Sequence, residues 1–319
     1  MVIVAVAGGT SRGLGWSIVT AFHEHPNHTP IVLSRMTSKT PQWLTDLPVE
    51  IRKVDYGSVD SLVSALQGVH TVISTTLNKE GSWVENESAL LQAALQAGCR
   101  RFAPSEWSAG PAGVLCVDML KPKSALWPLC ERAAKEHPGF EWTRFAVGMF
   151  MNYLGYGCER EAEALNGMED NGAKFVYVGE MRMEMAVRED GEPARITLTE
   201  IGDVGRFVAA ACCLPDGKWT TEMGMAGETL RFDEIAKIIE KIRGREIEIE
   251  KRSPRLVEQE LEEDLKNEDS GYWRRMWLQL ELMDTHDVEG EGVIRPVLNE
   301  MFPDIKAITV EQYIKKFWE

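Results

Sequence analysis

No apolar run in the 319-residue sequence approaches a membrane span; the longest, such as Phe207–Leu214, reach less than half of the roughly 20 residues that a bilayer needs. Cationic residues are in deficit, with 35 Lys and Arg against 50 Asp and Glu and a formal net charge of −15. That balance excludes nucleic acid or an anionic membrane surface as the main partner, since both demand a basic footprint. Cysteine is sparse: Cys99, Cys116, Cys130, Cys158, Cys212 and Cys213, none spaced as CxxC. Neither a disulfide frame nor a zinc site is expected, and a reduced, cytoplasmic protein is the simplest reading. The opening Met-Val-Ile-Val-Ala-Val-Ala lacks the basic segment of an export signal. There is no internal repeat and no low-complexity linker. The 44% apolar content is ordinary for a folded protein, and the length suits one large or two small domains.

The charge is unevenly placed. Residues 1–155 carry 13 Lys/Arg and 13 Asp/Glu, whereas residues 156–319 carry 22 and 37. Two functional regions are therefore expected, 1–155 and 156–319, with the chain free to cross back between them. Residues 256–291 are the most acidic stretch, with 12 Asp/Glu against 3 Lys/Arg. They read as a solvated helix pair, or as a lid that attracts a cationic substrate.

The first region alternates strands and helices. Val2–Ala7, Ile31–Leu33, Val49–Val54, Val69–Ser74, Arg101–Ala103 and Phe140–Phe145 read as strands. Helices fall at Gly15–Phe22, after Ser58 or Ser61, at Val84–Ala97 and at Ala125–Lys135. This spacing predicts an α/β fold with a Rossmann-type doubly wound parallel sheet. The second region is a smaller mixed α/β part. It has helices at Asp203–Leu214, Phe232–Ile242, Leu256–Asn267 and Val310–Phe317, and a half-exposed strand at Glu246–Glu250.

The first chemistry lies in Gly8-Gly9-Thr10-Ser11-Arg12-Gly13-Leu14-Gly15, directly after a strand and opening a helix. A dinucleotide pyrophosphate must approach the backbone closely, which a Cβ would block, and the amides of the helix N-terminus meet its charge. Gly9, Thr10, Ser11, Arg12, Gly13, Leu14 and Gly15 are thus candidate cofactor residues. The second strand ends Leu33-Ser34-Arg35, where a site for the unphosphorylated dinucleotide would carry an acid. Ser34, Arg35 and Lys39, with Arg12, suit a 2′-phosphate and predict NADP(H). The fourth strand ends Ser74-Thr75-Thr76, so Thr75, Thr76 and Asn78 fall at the crevice of a doubly wound sheet.

Gly9-Thr10-Ser11-Arg12-Gly13-Leu14-Gly15, Phe102-Ala103-Pro104-Ser105-Glu106-Trp107 and Phe150-Met151-Asn152-Tyr153 resemble the NmrA-like and isoflavone reductase-like family of atypical short-chain dehydrogenase/reductases, especially its fungal members. The resemblance extends to Phe302-Pro303-Asp304 and Val310–Trp318. The glycine loop is one residue longer than the usual family form and is similar to that of Tyr-dependent short-chain reductases. Their Tyr-x-x-x-Lys pair is absent: the residues four after the six tyrosines are Asp60, Gly157, Arg160, Met181, Met276 and Phe317.

The resemblance implies a lysine ahead of the helix after Pro-Ser-Glu. Lys121 and Lys123 are the candidates, and Lys123 matches the spacing better. It implies a catalytic role for Lys123, with Ser105 and Phe150 also at the cofactor. Trp107, Met149, Tyr153, Trp273 and Trp277 are expected to wall the substrate pocket. The implied function is an NADPH-dependent reductase delivering hydride to a conjugated C=C, C=O or C=N of an aromatic or heterocyclic natural product, within secondary metabolism. A dinucleotide-sensing regulator without catalysis, or a member that closes a ring without net redox, are the alternatives. The protein would act as a monomer or homodimer. His23, His25 and His28 cluster, but away from the expected site; they read as a surface loop, and no metal is expected.

Overall fold

The computed structural model describes residues 1–77, 82–168, 172–267 and 271–319, and begins with β1 (Val2–Ala7), the strand its apolar run predicts. Then follow α1 (Leu14–Glu24), β2 (His28–Arg35), the short α2 (Gln42–Thr45), β3 (Glu50–Val54) and α3 (Val59–Ala65). β4 (Thr71–Ser74), α4 (Trp83–Gln96), β5 (Arg101–Ala103), α5 (Pro111–Cys116), α6 (Trp127–Glu136) and β6 (Glu141–Trp142) complete the unit. The six strands form one parallel sheet in the order β3-β2-β1-β4-β5-β6. The order reverses between β1 and β4, and a crevice opens there at their carboxyl ends.

Local sequence explains these elements. Residues 4–7 of β1 are fully buried, as a central strand covered on both faces requires. Ser58 caps α3, accepting a hydrogen bond from Ser61 N at 3.3 Å. β2 is longer than the expected Ile31–Leu33, because Val2 N already donates to Asn27 O and pairing with β1 runs from His28. The expected strand Phe140–Phe145 is regular only at Glu141–Trp142.

The second region carries β7 (Met149–Phe150), α7 (Glu161–Leu165), β8 (Val176–Tyr177), β9 (Arg182–Ala186), β10 (Arg195–Thr199) and α8 (Ile201–Cys212). β11 (Glu228–Arg231), α9 (Phe232–Arg243), β12 (Glu248–Arg252), α10 (Pro254–Lys266), α11 (Tyr272–His286), α12 (Val297–Met301) and α13 (Val310–Trp318) follow. Two small sheets form, β11-β10-β7 and β12-β9-β8. Their core includes Met183, Met185, Ile196, Leu198, Ile235, Ile239 and Ile314. Among the described residues β12 pairs only with β9, at the edge of its sheet.

α8 crosses back to the first sheet. Phe207 and Val208 join Val4, Val6, Ile18, Val19 and Phe22 in one core, so α1 and α8 cover the same face. Ser17 Oγ donates to Ile201 O at 2.5 Å, and a Cβ on Gly205 would stand 2.5 Å from Ser17 O. The helices meet backbone to backbone at that point. No helix among the described residues is long and apolar enough to cross a membrane.

Candidate active site

At the carboxyl end of β1, Gly8 and Gly13 hold φ of +77° and +72°, which glycine adopts readily. A Cβ on Gly15 would stand 2.5 Å from Ser11 Oγ and 3.0 Å from Gly8 O. Ser11 closes the turn: its N–H and hydroxyl both donate to Gly8 O at 3.1 Å. Gly9 lies against Val6 and Val19, so α1 packs closely on β1. α1 starts with Gly13 as N-cap, with no side-chain cap and no acid in its first turn. Its first amides and positive dipole end are therefore offered to an anion. The residues present fit a dinucleotide pyrophosphate. Arg12 is exposed, and Thr10 and Leu14 are half-buried.

A second wall closes on this loop and was not legible in the sequence. Asn166 (φ +47°) and Gly167 (φ +90°) follow α7 and pack on Arg12 and Gly13. A Cβ on Gly167 would overlap the Arg12 side chain and stand 2.6 Å from Gly13 N. Asn152, from Phe-Met-Asn-Tyr, braces this segment. Its Nδ2 donates to Ala164 O at 2.8 Å, and its Oδ1 accepts from Ile201 N at 2.9 Å.

At the end of β2, Ser34 is buried while Arg35 and Lys39 are exposed. Lys53 on β3 donates to Ser34 Oγ at 3.2 Å and to Ser38 O at 2.6 Å, which orders the turn. Tyr56 accepts from Gly8 N at 3.2 Å and donates to Leu33 O at 3.3 Å, so it ties the glycine loop to β2. Burial pushes its phenol well up, and the hydroxyl stays neutral. The Thr75 hydroxyl donates to Ala7 O at 2.9 Å and fastens β4 to β1. Asn78 lies outside the described residues.

Beside this crevice is a polar cluster built on α4. Ser74 Oγ and Thr76 Oγ1 each donate to Glu87 Oε1 at 2.5 Å, and Ser105 N donates to Oε2 at 3.3 Å. Glu87 is fully buried, and burial raises its pKa against the opposing pull of those three bonds and of Lys123. Lys123 keeps some solvent contact, but its Nζ is drawn inward. It donates to Ser105 O, and to Glu106 O at 3.0 Å, and lies 5.2 Å from the Trp83 ring centre. Desolvation holds its pKa below the ordinary lysine range, while Glu106 and Glu87 partly counter it. Lys121 is exposed and pairs with Asp118 at 2.6 Å, so only Lys123 reaches this cluster.

Tyr56 carries no signal in the sequence, since its partners lie 48 and 23 residues away. Glu87 did leave a signal. It shares the buried face of α4 with Trp83, Leu90, Leu91 and Ala94, where a carboxylate is out of pattern.

Of the expected pocket residues, Trp107 requires correction. It is 7% exposed, its Nε1 donates to Ser74 O at 2.8 Å, and its ring stacks on Phe145 at 5.4 Å. It is a core strut, with the unusual φ of +32° where the Pro-Ser-Glu-Trp segment turns. Trp273 also departs from expectation. It is 41% exposed, and its ring meets Tyr272. Trp277 meets Tyr153 edge to face at 6.0 Å and Phe175 at 6.1 Å, with the Lys174 ammonium 4.5 Å from its ring centre. A cavity of about 340 Å³ opens beside Trp277, Lys174, Tyr177 and Glu184. Met149 and Phe150 are half-buried and pack on the second and first cores respectively.

The model of the NmrA-like family matches residues 2–314. The chain belongs to the NmrA-like family. Among its relatives, the oxidoreductase BOA1 of Botryotinia fuckeliana is 30% identical over 76% of this chain and 77% of its own. The oxidoreductase swnN of Metarhizium robertsii is 24% identical over 100% of this chain and 98% of its own. The protein stands with the oxidoreductases of the family. The structure of AtPrR2 with NADP+ and (+)-pinoresinol shares the fold, with a TM-score of 0.72 and 22% identity over 99% of this chain and 98% of its own.

Proposed function

We propose that this NmrA-like protein is an NADPH-dependent reductase that delivers hydride to a conjugated C=C, C=O or C=N of an aromatic or heterocyclic natural product in secondary metabolism. The observation that carries this reading is Lys123, desolvated at the carboxyl edge of the sheet and fixed by Ser105 O and Glu106 O. Those carbonyls take two of its three N–H bonds. The third has no hydrogen-bond partner among the described residues and can hydrogen-bond an acceptor atom or protonate it as negative charge develops. Its depressed pKa makes proton release easier.

The cofactor is NADP(H), which supplies the hydride when bound. Gly9, Thr10, Ser11, Gly13, Leu14 and Gly15 hold the pyrophosphate, Ser34 lies at the ribose end, and Arg12, Arg35 and Lys39 meet the 2′-phosphate. Ser105, Thr76 and Phe150 border the nicotinamide end. Met149, Tyr153 and Trp277 offer an apolar, aromatic wall to the substrate. Support comes from the named oxidoreductase relatives and from the NADP+-bound structure that shares the fold.

The test is NADPH consumption against a panel of enones, imines and aryl aldehydes, with Lys123→Ala as control. Turnover that collapses in the variant supports the reading. Full activity in Lys123→Ala removes the lysine's catalytic role. Tight NADPH binding with no turnover of any acceptor favours the dinucleotide-sensing regulator instead.

A further inference from the structure

A second cluster of chemistry-bearing side chains lies at the opposite, amino-end edge of the first sheet. His25 follows α1, His28 opens β2, and Cys213 follows α8, 185 residues beyond His28. The sequence shows only the histidine half of this group. The packing of α8 on α1 supplies the sulfur.

The distances are those of ligands around one ion. His28 Nε2 is 3.2 Å from Cys213 Sγ, and His25 Nε2 is 3.7 Å from the same sulfur. One ligand atom from each of the three residues lies within 4.8 Å of the others. A tetrahedral zinc with Zn–N near 2.0 Å and Zn–S near 2.3 Å sets its nitrogen and sulfur ligands about 3.5 Å apart. The two imidazole rings stand 4.7 Å apart, tilted by 41°. The Ala209 carbonyl oxygen lies 2.8 Å from His28 Nε2 and adds an oxygen to the same spot.

The helix ends at this spot favour a cation. His25 is the C-cap of α1 and Cys213 the C-cap of α8, so two helix C-termini converge with their partial negative charge. Two cations stand nearby: Arg101, which touches Cys212 O at 3.4 Å and is balanced by Glu141 and Asp216, and the chain's N-terminal ammonium, while the Asn27 side chain hydrogen-bonds Cys213. His28 is 6% exposed, and its Nδ1 has no hydrogen-bond partner among the described residues. Ala209 and Cys213 are thus the polar groups against which its ring is set.

We propose that His25, His28 and Cys213 form a binding site for a zinc-class divalent ion. Two imidazoles and a thiolate select zinc or cobalt over magnesium or calcium, which take oxygen ligands. On binding, the Cys213 thiol releases its proton to solvent, His28 gives up its Nε2 proton and takes one at Nδ1 so that the ring stays neutral, and the ion stands between Nε2 and Ala209 O. The open face beside Cys213 leaves room for water to complete the shell. The site clips the α1–β2 turn to the end of α8 and is independent of the reductase reading.

The experiment is titration of the reduced, metal-stripped full chain with cobalt(II). A thiolate-to-cobalt charge-transfer band in the near ultraviolet should saturate at one equivalent and vanish when zinc is added. Cys213→Ser should abolish the band, and His25→Ala should weaken cobalt binding at least tenfold. Cys116→Ser should leave it intact, which separates this site from the cluster of Cys116, His286 and Glu291. Cys213 is exposed and His25 half-buried, and circular dichroism verifies that the variants keep the fold. No charge-transfer band, or a band that survives Cys213→Ser, would overturn the proposal and leave only thiol–imidazole hydrogen bonds.

Discussion

Glu87 with Lys123 in the neutral half, and Glu281 with Arg252 in the acidic half, each set a buried carboxylate near a cation, but they are wired differently. Arg252 pairs directly with Glu281 and with Glu260, at 2.8 and 2.7 Å, and also reaches Glu250. Among the described residues no ion pair joins Glu87 to Lys123. The carboxylate is satisfied by two hydroxyls and an amide, and the ammonium by two carbonyls. A direct pair with arginine fixes charge, because guanidinium does not release its proton at ordinary pH. A lysine held apart from its counter-charge keeps a proton that can move. The difference also redefines the acidic stretch 256–291. Asp264 is met by Arg274 and Arg275 of α11, and Glu260 and Glu281 by Arg252 of β12, so these three of its twelve carboxylates are held in direct ion pairs.

The comparison can be broken at five points. Lys123→Ala should lower kcat by about 10²- to 10⁴-fold, the span of general acid–base effects, while NADPH affinity by fluorescence titration changes little. A comparable loss of NADPH binding would show a structural role instead. Arg252→Ala should cost about 3–5 kcal/mol in denaturant unfolding, since it strands the buried Glu281, yet leave NADPH binding intact. A loss under 1 kcal/mol would mean that the acidic-half pair is not the strut described. Glu87→Ala should cost about 1–3 kcal/mol, because the buried Ser74 and Thr76 hydroxyls lose their acceptor. Arg35→Ala should weaken NADPH about tenfold, the size of one lost charge-assisted contact, and leave NADH unchanged. Equal loss for both dinucleotides would remove Arg35 from the 2′-phosphate. Trp273→Ala should fall within about 0.5 kcal/mol of the parent, as expected for an exposed side chain, and well below the cost of Trp277→Ala. Equal costs would contradict the outward placement of Trp273.

Much of the sheet was legible because its strands are short apolar runs broken by glycine and polar turns. Val2–Ala7 has the bounds its composition suggests, and the acidic helix Leu256–Asn267 appears as Pro254–Lys266. β9 and β10 escaped because Arg182–Ala186 mixes charge with apolar residues and Arg195–Thr199, although buried after Arg195, is a short run in a small sheet. At the candidate site, the glycine loop and the lysine could be read from spacing and resemblance. The second wall at Asn166–Gly167 could not, since it depends on the chain folding back over 150 residues onto Arg12 and Gly13. Trp107 misled because an aromatic next to a motif resembles a pocket wall. Only the bond from its Nε1 to Ser74 O and its stacking on Phe145 reveal a core residue.

Lys123 is a desolvated lysine, and the proposed reaction draws on its proton. The most direct measurement is kcat against pH for the parent and for Lys123→Ala, with an acceptor that turns over. Because desolvation lowers the lysine's pKa, its protonated form dominates only below that shifted value, and activity must fall as pH rises through it. The account predicts an alkaline limb centred below the ordinary lysine value of 10.5 in the parent and its absence from the residual activity of the variant. A limb at or above 10.5, or the same limb retained in Lys123→Ala, would contradict it.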